Sequence, residues 1–390
     1  MDTDILISGA GPAGLAAACA LGAEGHRVTL VDPAPPVTGE DAPGADLRTT
    51  ALLQPARSLL ERAGAWDGLA GHGTRLDVMR IVDASTGAVA SRDFAAGDIG
   101  QESFGWNFPN WLLRRELLAR VEALPNVQTR FGLGVSGLFT RSTGARVTLS
   151  DGARLTAALV LACDGRDSPL RELAGIGART VRYGQTALVF AVAHEVPHDH
   201  VSTEIHRSGG PFTLVPLPDR DGAHRSAVVW MDEDAEQARR LALDEDAFAA
   251  ESNARSAGVM GPLRVVSPRA GWPILSRLAD RLTAPRLALA AEAAHAMPPI
   301  GAQGLNTSLK DIAALRDLAE RHPLGGPEML AAYQRRRWPD MAARMAGIDL
   351  LNRTSIAGGA PVQALRSAGI RTIHDIAPVR RTLMRMGLGS

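Results

Sequence analysis

The sequence predicts an α/β fold, and three strand-to-helix junctions far apart in the chain predict it. They are GAGPAG at residues 9–14, CDGRDSPLR at 163–171 and AEAAHAMPPIGAQGLN at 291–306. Each follows a short apolar run and opens a helix. Together they suit one ligand, a flavin dinucleotide (FAD) laid out at full length. The expected architecture is a discontinuous Rossmann-like FAD-binding domain with an inserted β-sheet substrate domain and C-terminal helices.

The first junction is the most specific. Residues 4–8 read as a strand, residues 15–22 as an Ala-rich helix, and residues 27–31 as a second strand ending at Asp32. That is a βαβ unit of the length a dinucleotide requires. Gly9 permits the tight turn, Gly11 lets backbone approach a pyrophosphate, and Gly14 lets the helix pack on the strand. Pro12 and Ala13 complete the motif. The helix N-terminus offers free N–H groups and the positive dipole end to phosphate. Asp32 is placed to accept ribose hydroxyls, and its charge argues against a 2′-phosphate.

At the second junction a strand over 159–162 leads into Asp164 and Gly165, and Ser168-Pro169 marks a helix start. At the third, a strand over 287–290 leads to Glu292, a candidate partner for a polyol hydroxyl. Pro298-Pro299 forms a rigid wall. Gly301, Ala302, Gln303, Gly304, Leu305 and Asn306 then feed a helix through Ala319. The amides at that start favour partial negative charge on a facing ring edge. His295 reads as a residue that orders the turn by hydrogen bonding.

Composition sets the outer bounds. Lys+Arg and Asp+Glu each number 42, so charge balance gives no reason to expect nucleic acid. Lys310 is the one lysine, so the positive charge is arginine. Cys19 and Cys163 read as buried free thiols, not a disulfide framework. No apolar run reaches the roughly 18 residues a spanning helix needs. A cytoplasmic protein is expected. His194, His198 and His200 sit in a Pro-containing loop and read as solvated, so no metal is expected.

These motifs resemble those of single-component FAD aromatic hydroxylases with the para-hydroxybenzoate-hydroxylase-like fold. The flanking segments DLRTTAL at 46–52, NWLLR at 110–114 and DLLNR at 349–353 are similar to the ubiquinone-biosynthesis hydroxylase branch. The resemblance covers most of the chain and implies roles. Gly9, Gly11, Gly14 and Asp32 would bind the ADP half of FAD, and Arg48 and Arg114 would contact the cofactor. Asp164 would lie near the pyrophosphate and the nicotinamide approach, and Glu292 would take the ribitol place. Pro299, Gly301 and Gly304 through Asn306 would line the isoalloxazine. Pro299, Gly301 and Gln303 are the candidates for shaping the flavin environment, and no catalytic acid or base is assigned. The chain departs from the pattern at Cys163, where Ala is usual, and at Ala291-Glu292, where Gly-Asp is usual.

The implied activity is hydroxylation of the ring of a polyprenylated phenol in ubiquinone biosynthesis. It would use O2 as co-substrate, NAD(P)H or another electron donor as reductant, and a flavin C4a-hydroperoxide. There is no second dinucleotide fingerprint. Two readings stand beside it: an FAD hydroxylase of a soluble aromatic or polyketide substrate, and a flavin-bound, non-catalytic subunit of a quinone-biosynthesis assembly. A homo-oligomer is a family-level expectation.

The FAD-binding domain is assigned to residues 1–69, 104–171 and 282–345, and the substrate domain to 70–103 and 172–281. A C-terminal helical segment takes 346–390. In the substrate domain residues 78–94 read as a strand pair around Ser85-Thr86-Gly87. Further strands are expected over 185–194, 202–206, 210–217 and 226–230, with a turn at 218–222 and helix over 232–257. Phe212, Leu214 and Pro216 are candidates for the pocket wall or, equally, for the core of the sheet. After residue 352, Arg353, Arg366, Arg371, Arg380, Arg381 and Arg385 face one acid, Asp375. Val362, Leu365, Ile370, Ile373, Ile376, Val379, Leu383 and Met386 recur at helical spacing. That pattern is either helices docked with a solvated arginine face, or a basic amphipathic surface in peripheral contact with the inner face of a membrane.

Overall fold

The computed structural model describes residues 1–84, 90–207, 209–356 and 374–388. Its α/β class and separate β-sheet region agree with the sequence. Among the described residues an eight-stranded sheet carries the three junctions. Its central order is Leu287–Leu289, Arg154–Ala162, Thr3–Ser8, Val28–Asp32 and Val127–Phe131, paired parallel throughout. Thr3–Ser8 is buried along nearly its whole length, as expected of a central strand with a parallel partner on each side. The helix Pro12–Ala23 is also buried from Ala13 to Gly22, which explains its small, uniformly apolar residues.

A nine-stranded sheet stands beside it. Its order is His295–Ala296, Ala270–Ala279, Ala178–His194, Ala223–Glu233, Pro211–Arg220, Val201–His206, Val78–Asp83 and Ala90–Ala95, with Arg264–Val265 paired to the third of these. A three-stranded sheet, Thr49–Leu53, Gly105–Pro109 and Thr74–Leu76, lies between chain segments of the two. Leu188, Phe190, Phe212, Leu214, Trp230 and Phe248 form the core of the nine-stranded sheet.

Several element boundaries differ from expectation. The strand expected over 185–194 begins at Ala178, because its register shifts between Arg182 and Gln185 and Gly184 takes φ +66°. That irregularity lets one strand run past a break in the alternation. The turn expected over 218–222 shrinks to Asp221 and Gly222, both at positive φ, as a two-residue hairpin turn requires. Asp232 and Glu233 end a strand, and the helices start after them as Asp234–Leu241 and Glu245–Arg255. The turn at 85–87 and the apolar positions Val362, Leu365, Ile370 and Ile373 fall outside the described residues. The chain's last described helix is Ala377–Leu388.

Candidate active site

The strand Thr3–Ser8 delivers Gly9 to the end of the parallel sheet, beside the end of Arg154–Ala162. The three motif glycines differ in what surrounds them. Gly9 has φ +105°, and a Cβ there would lie 2.2 Å from the Cys163 carbonyl oxygen. A Cβ on Gly14 would lie 1.8 Å from the Gly9 carbonyl oxygen, so Gly14 fixes the contact of helix and loop. Gly11 has nothing within 4 Å of its missing Cβ, and its open side lines a cavity. Asp32 secures the loop: Oδ2 accepts from the Ala10 amide at 2.6 Å and Oδ1 from the Ala34 amide at 2.9 Å.

The second junction turns through Gly165 at φ +86°. Ser168 caps the short helix Pro169–Leu173 by accepting from the Arg171 amide at 3.0 Å. Asp164 Oδ2 accepts from the Leu170 amide at 3.2 Å, while its buried Oδ1 has no partner. Burial pushes this carboxyl above the usual carboxylate range, against the Ser168 and Leu170 hydrogen bonds. Arg171 donates to the Ala293 carbonyl at 3.0 Å and so ties the second junction to the third.

At the third junction Ala291 sits at φ +55°, a left-handed conformation that favours glycine. Glu292 follows in a one-turn helix, half-exposed, with Arg166 Nε 3.6 Å from Oε2. His295 is buried and joins an ionic chain. Its Nε2 lies 2.7 Å from Asp311 Oδ2, and Arg337 Nε donates to Asp311 Oδ1 at 2.8 Å. Arg337 also donates to Asp340 at 2.6 Å. His295 thus orders the turn, as expected of it, through Asp311, which also accepts from the Ala291 amide at 3.3 Å.

Gly301 and Ala302 both take positive φ before the helix Gln303–Ala319, and no side chain caps that helix. Its first amides are therefore available to a ligand. Gln303 braces the loop by donating to the Gly301 and Gly387 carbonyls, each at 2.9 Å. Asn306 does not line the cavity. Its Nδ2 donates to the Ala51 carbonyl at 2.7 Å and its Oδ1 accepts from the Leu53 amide at 2.9 Å, clasping this helix to the strand Thr49–Leu53.

Arg48 and Arg114 converge on Asp46. Arg48 makes a two-bond pair with it, at 2.8 and 2.7 Å, and Arg114 lies at 3.4 Å. Asn110 Nδ2 adds a bond at 3.0 Å. Burial alone would raise the Asp46 carboxyl, but Arg48, Asn110 and Arg114 outweigh it and hold it below the usual range. Arg48 also stacks on the Trp272 ring at 4.0 Å. Nothing in the sequence signals that partnership, because Trp272 comes from a strand of the other sheet.

One cavity of about 820 Å³ collects these pieces. Gly9, Gly11, Pro12, Ala13, Asp32, Arg48, Arg114, Asp164 and Gly165 line it. So do Glu292, His295, Pro299, Gly301, Gln303, Gly304 and Leu305. Gly14 and Asn306 stand behind the wall. The opposite side is the face of the nine-stranded sheet, with Met79, Ser202, Glu204, Thr213, Val215 and Val229. Sequence reasoning missed this face. Phe212 and Leu214 are fully buried in the sheet core, and Pro216 is buried with its carbonyl bonded to Asn107. The alternate residues, Thr213 and Val215, supply the wall, as a strand's period of two dictates.

The histidine loop also differs. His194 and His198 are buried, not solvated. His194 bonds the Val196 carbonyl at 2.8 Å and Ser226 Oγ at 2.9 Å, and His198 bonds the Leu217 carbonyl at 3.1 Å. Among the described residues no group of three His, Cys, Asp or Glu side chains is arranged to hold a metal ion.

The residues present fit FAD. Gly11 leaves room for a pyrophosphate, the orphaned Asp164 Oδ1 wants a donor, and the uncapped helix start faces the same space. A Rossmann-like cavity extended over three junctions defines a flavoprotein. The chain belongs to the FAD binding domain family, which matches residues 2–346. It is 36% identical to the ubiquinone hydroxylase UbiL of Rhodospirillum rubrum, over 99% of this chain and 90% of that one. It is 26% identical to the 3-demethoxyubiquinol 3-hydroxylase of Escherichia coli, over 99% and 98% of the two chains. The solved structure of p-nitrophenol 4-monooxygenase PnpA from Pseudomonas putida shares the fold, with a TM-score of 0.80 at 19% identity over 100% and 98% of the chains.

Proposed function

We propose that this FAD-dependent monooxygenase hydroxylates the aromatic ring of a polyprenylated phenol in ubiquinone biosynthesis, with O2 as co-substrate and NAD(P)H or another donor as reductant. One observation carries the reading. A single cavity has a wall of glycine loops and helix starts on one side and, on the other, a sheet face that carries Met79, Val215 and Val229. Cofactor and an apolar ring therefore share one enclosure. The 36% identity to a ubiquinone hydroxylase supports the same substrate class.

Bound FAD supplies the redox and oxygen chemistry. The chain's own residues bind, orient and exclude water. Gly11, Pro12 and Ala13 seat the pyrophosphate, with Asp32 at a ribose and Arg48 and Arg114 along the cofactor. Glu292 takes the ribitol, with Arg166 beside it. The uncapped amides of Gly304 and Leu305 stabilise negative charge at the ring edge. Pro299 restricts the loop's backbone, Gly301 supplies its left-handed turn, and Gln303 locks it to the last helix.

The reading extends to peripheral contact with a membrane. No helix among the described residues is long and apolar enough to cross one. On Ala377–Leu388, however, Val379 and Leu383 are about two-fifths exposed, and Arg381 and Arg385 are exposed with them. This is the pattern of a helix that lies on an anionic surface. A quinone-biosynthesis complex and a homo-oligomer belong to the same proposal.

The test starts with the visible spectrum of the purified protein and identification of the flavin released on heating. Phenol-stimulated oxygen uptake, with mass analysis of the product, follows. Bound FAD with a hydroxylated prenylphenol is the expected result. Bound FAD with no uptake on any phenol would favour the non-catalytic subunit.

A further inference from the structure

Where the strands Val201–His206, Pro211–Arg220 and Ala223–Glu233 wall the cavity, they present Ser202, Glu204, Thr213, Val215 and Val229, of which only Glu204 is ionisable. On the strand Val201–His206 the odd positions Val201, Thr203 and Ile205 are buried in the sheet. Ser202 and Glu204 line the cavity, and His206 follows at the same parity. Glu204 pairs in register with Thr213, and Thr213 with Val229, so these three lie side by side across three strands on the cavity wall. Glu204 is the one carboxylate the nine-stranded sheet contributes to that wall among the described residues.

A carboxylate on an apolar wall is costly unless it is held. His206 holds it: Nε2 lies 2.7 Å from Glu204 Oε1, and the histidine side chain is 9% exposed. Nε2 is therefore the protonated nitrogen, and Glu204 Oε2 is left for a second donor. Burial would raise the Glu204 carboxyl, but His206 outweighs it and keeps the group below the usual carboxylate range. An ionised carboxylate only accepts hydrogen bonds.

We propose that Glu204, oriented by His206, is the acceptor that fixes the substrate's ring hydroxyl on the sheet face of the cavity. This rests on the phenol reading above and adds the residue that selects the hydroxyl. Ser202 and Thr213 flank the acceptor with hydroxyls, while Val215 and Val229 support the ring. The ligand class follows. A neutral ring bearing O–H is bound, its methyl ether leaves the carboxylate unpaired, and a ring carboxylate is repelled. His206 is a positioning residue, because it acts through Glu204. The hydrogen bond also draws electron density into the ring, which favours attack by an electrophilic oxygen.

The probes are 2-prenylphenol and its methyl ether, 2-prenylanisole. Their binding to the FAD-loaded protein is read as a perturbation of the flavin absorbance. The wild-type protein is expected to prefer the phenol by roughly 10- to 100-fold, the range of a hydrogen bond to a charged group. Glu204→Gln is expected to reduce that preference to about 3-fold or less at unchanged FAD content. Glu204→Asp should keep part of it. His206→Gln, which retains an N–H donor, should preserve more of it than His206→Phe. A phenol-binding wild type with an unchanged preference in Glu204→Gln overturns this proposal alone. A wild-type preference near one overturns it without any variant, should the substitution prevent folding. A wild type that binds neither compound overturns the phenol reading as well.

Discussion

At residues 9–14 the cavity wall is backbone, and on the face of Ser202, Thr213 and Val229 it is side chain. The glycine loop acts through absent atoms: a Cβ on Gly9 or Gly14 would fall within about 2 Å of a carbonyl oxygen. The sheet face acts through present ones, chosen by register from a strand whose other residues form a core. A backbone wall serves any ligand with phosphates, whereas a side-chain wall decides which ring is bound. The first tolerates almost no substitution, and the second tolerates many and changes its ligand with each.

The largest expected effect tests the division within one strand. Phe212→Ala removes a fully buried ring from the sheet core and should cost about 3–5 kcal/mol of stability. Its neighbour Val215→Ala, on the cavity wall, should cost about 1 kcal/mol or less and act mainly on KM for the ring substrate. Thermal unfolding with steady-state kinetics on both variants checks this. Equal stability losses would erase the distinction. Next, Gly9→Ala adds a clash and a strained φ together and should cost about 3 kcal/mol. The protein should purify without flavin, and retained FAD would show that the backbone wall is more forgiving than its geometry.

A smaller effect comes from acid. The Asp46 carboxyl is held low by Arg48 and its neighbours, so the grip contributes stability above the unfolded value, near pH 4, and loses it as pH falls through the folded value. Asp46→Asn should remove that part of the acid dependence, measured as melting temperature against pH. The smallest concerns Ala291 at φ +55°. Ala291→Gly relieves left-handed strain but loosens the unfolded chain, so a net gain of at most about 1 kcal/mol is expected. A loss would mean the Cβ is packed to advantage.

The same division explains what was legible in the sequence. The three junctions were readable because glycine and proline at fixed spacing encode backbone shape, and Asp32 and Ser168 encode local hydrogen bonds. Arg48 and Arg114 were readable only through resemblance. Arg114 reaches Asp46 across 68 residues, and Arg48 stacks on Trp272 from a segment more than two hundred residues away. Phe212 and Leu214 were correct as part of an alternating strand, but alternation does not say which face meets a core and which a ligand. Asn306 was placed at the isoalloxazine by its motif, yet its amide is used up on Ala51, Leu53 and Ala302. His194 and His198 looked solvated because their loop is polar, and only the hairpin packed beside them shows otherwise.

That Asn306 clasp has a consequence in time. It joins positions 253 and 255 residues apart, and within that stretch Arg171 reaches Ala293 across 122 residues. As the chain leaves the ribosome, its glycine loop is made within the first turn of synthesis but has no third junction to close against. Some three hundred residues must emerge first, which at about 5–20 residues per second takes on the order of a minute or less. Through that interval the Ala-rich helix and its apolar strands are unfinished surfaces, and the pocket they share with the third junction closes only when Asn306 has been made.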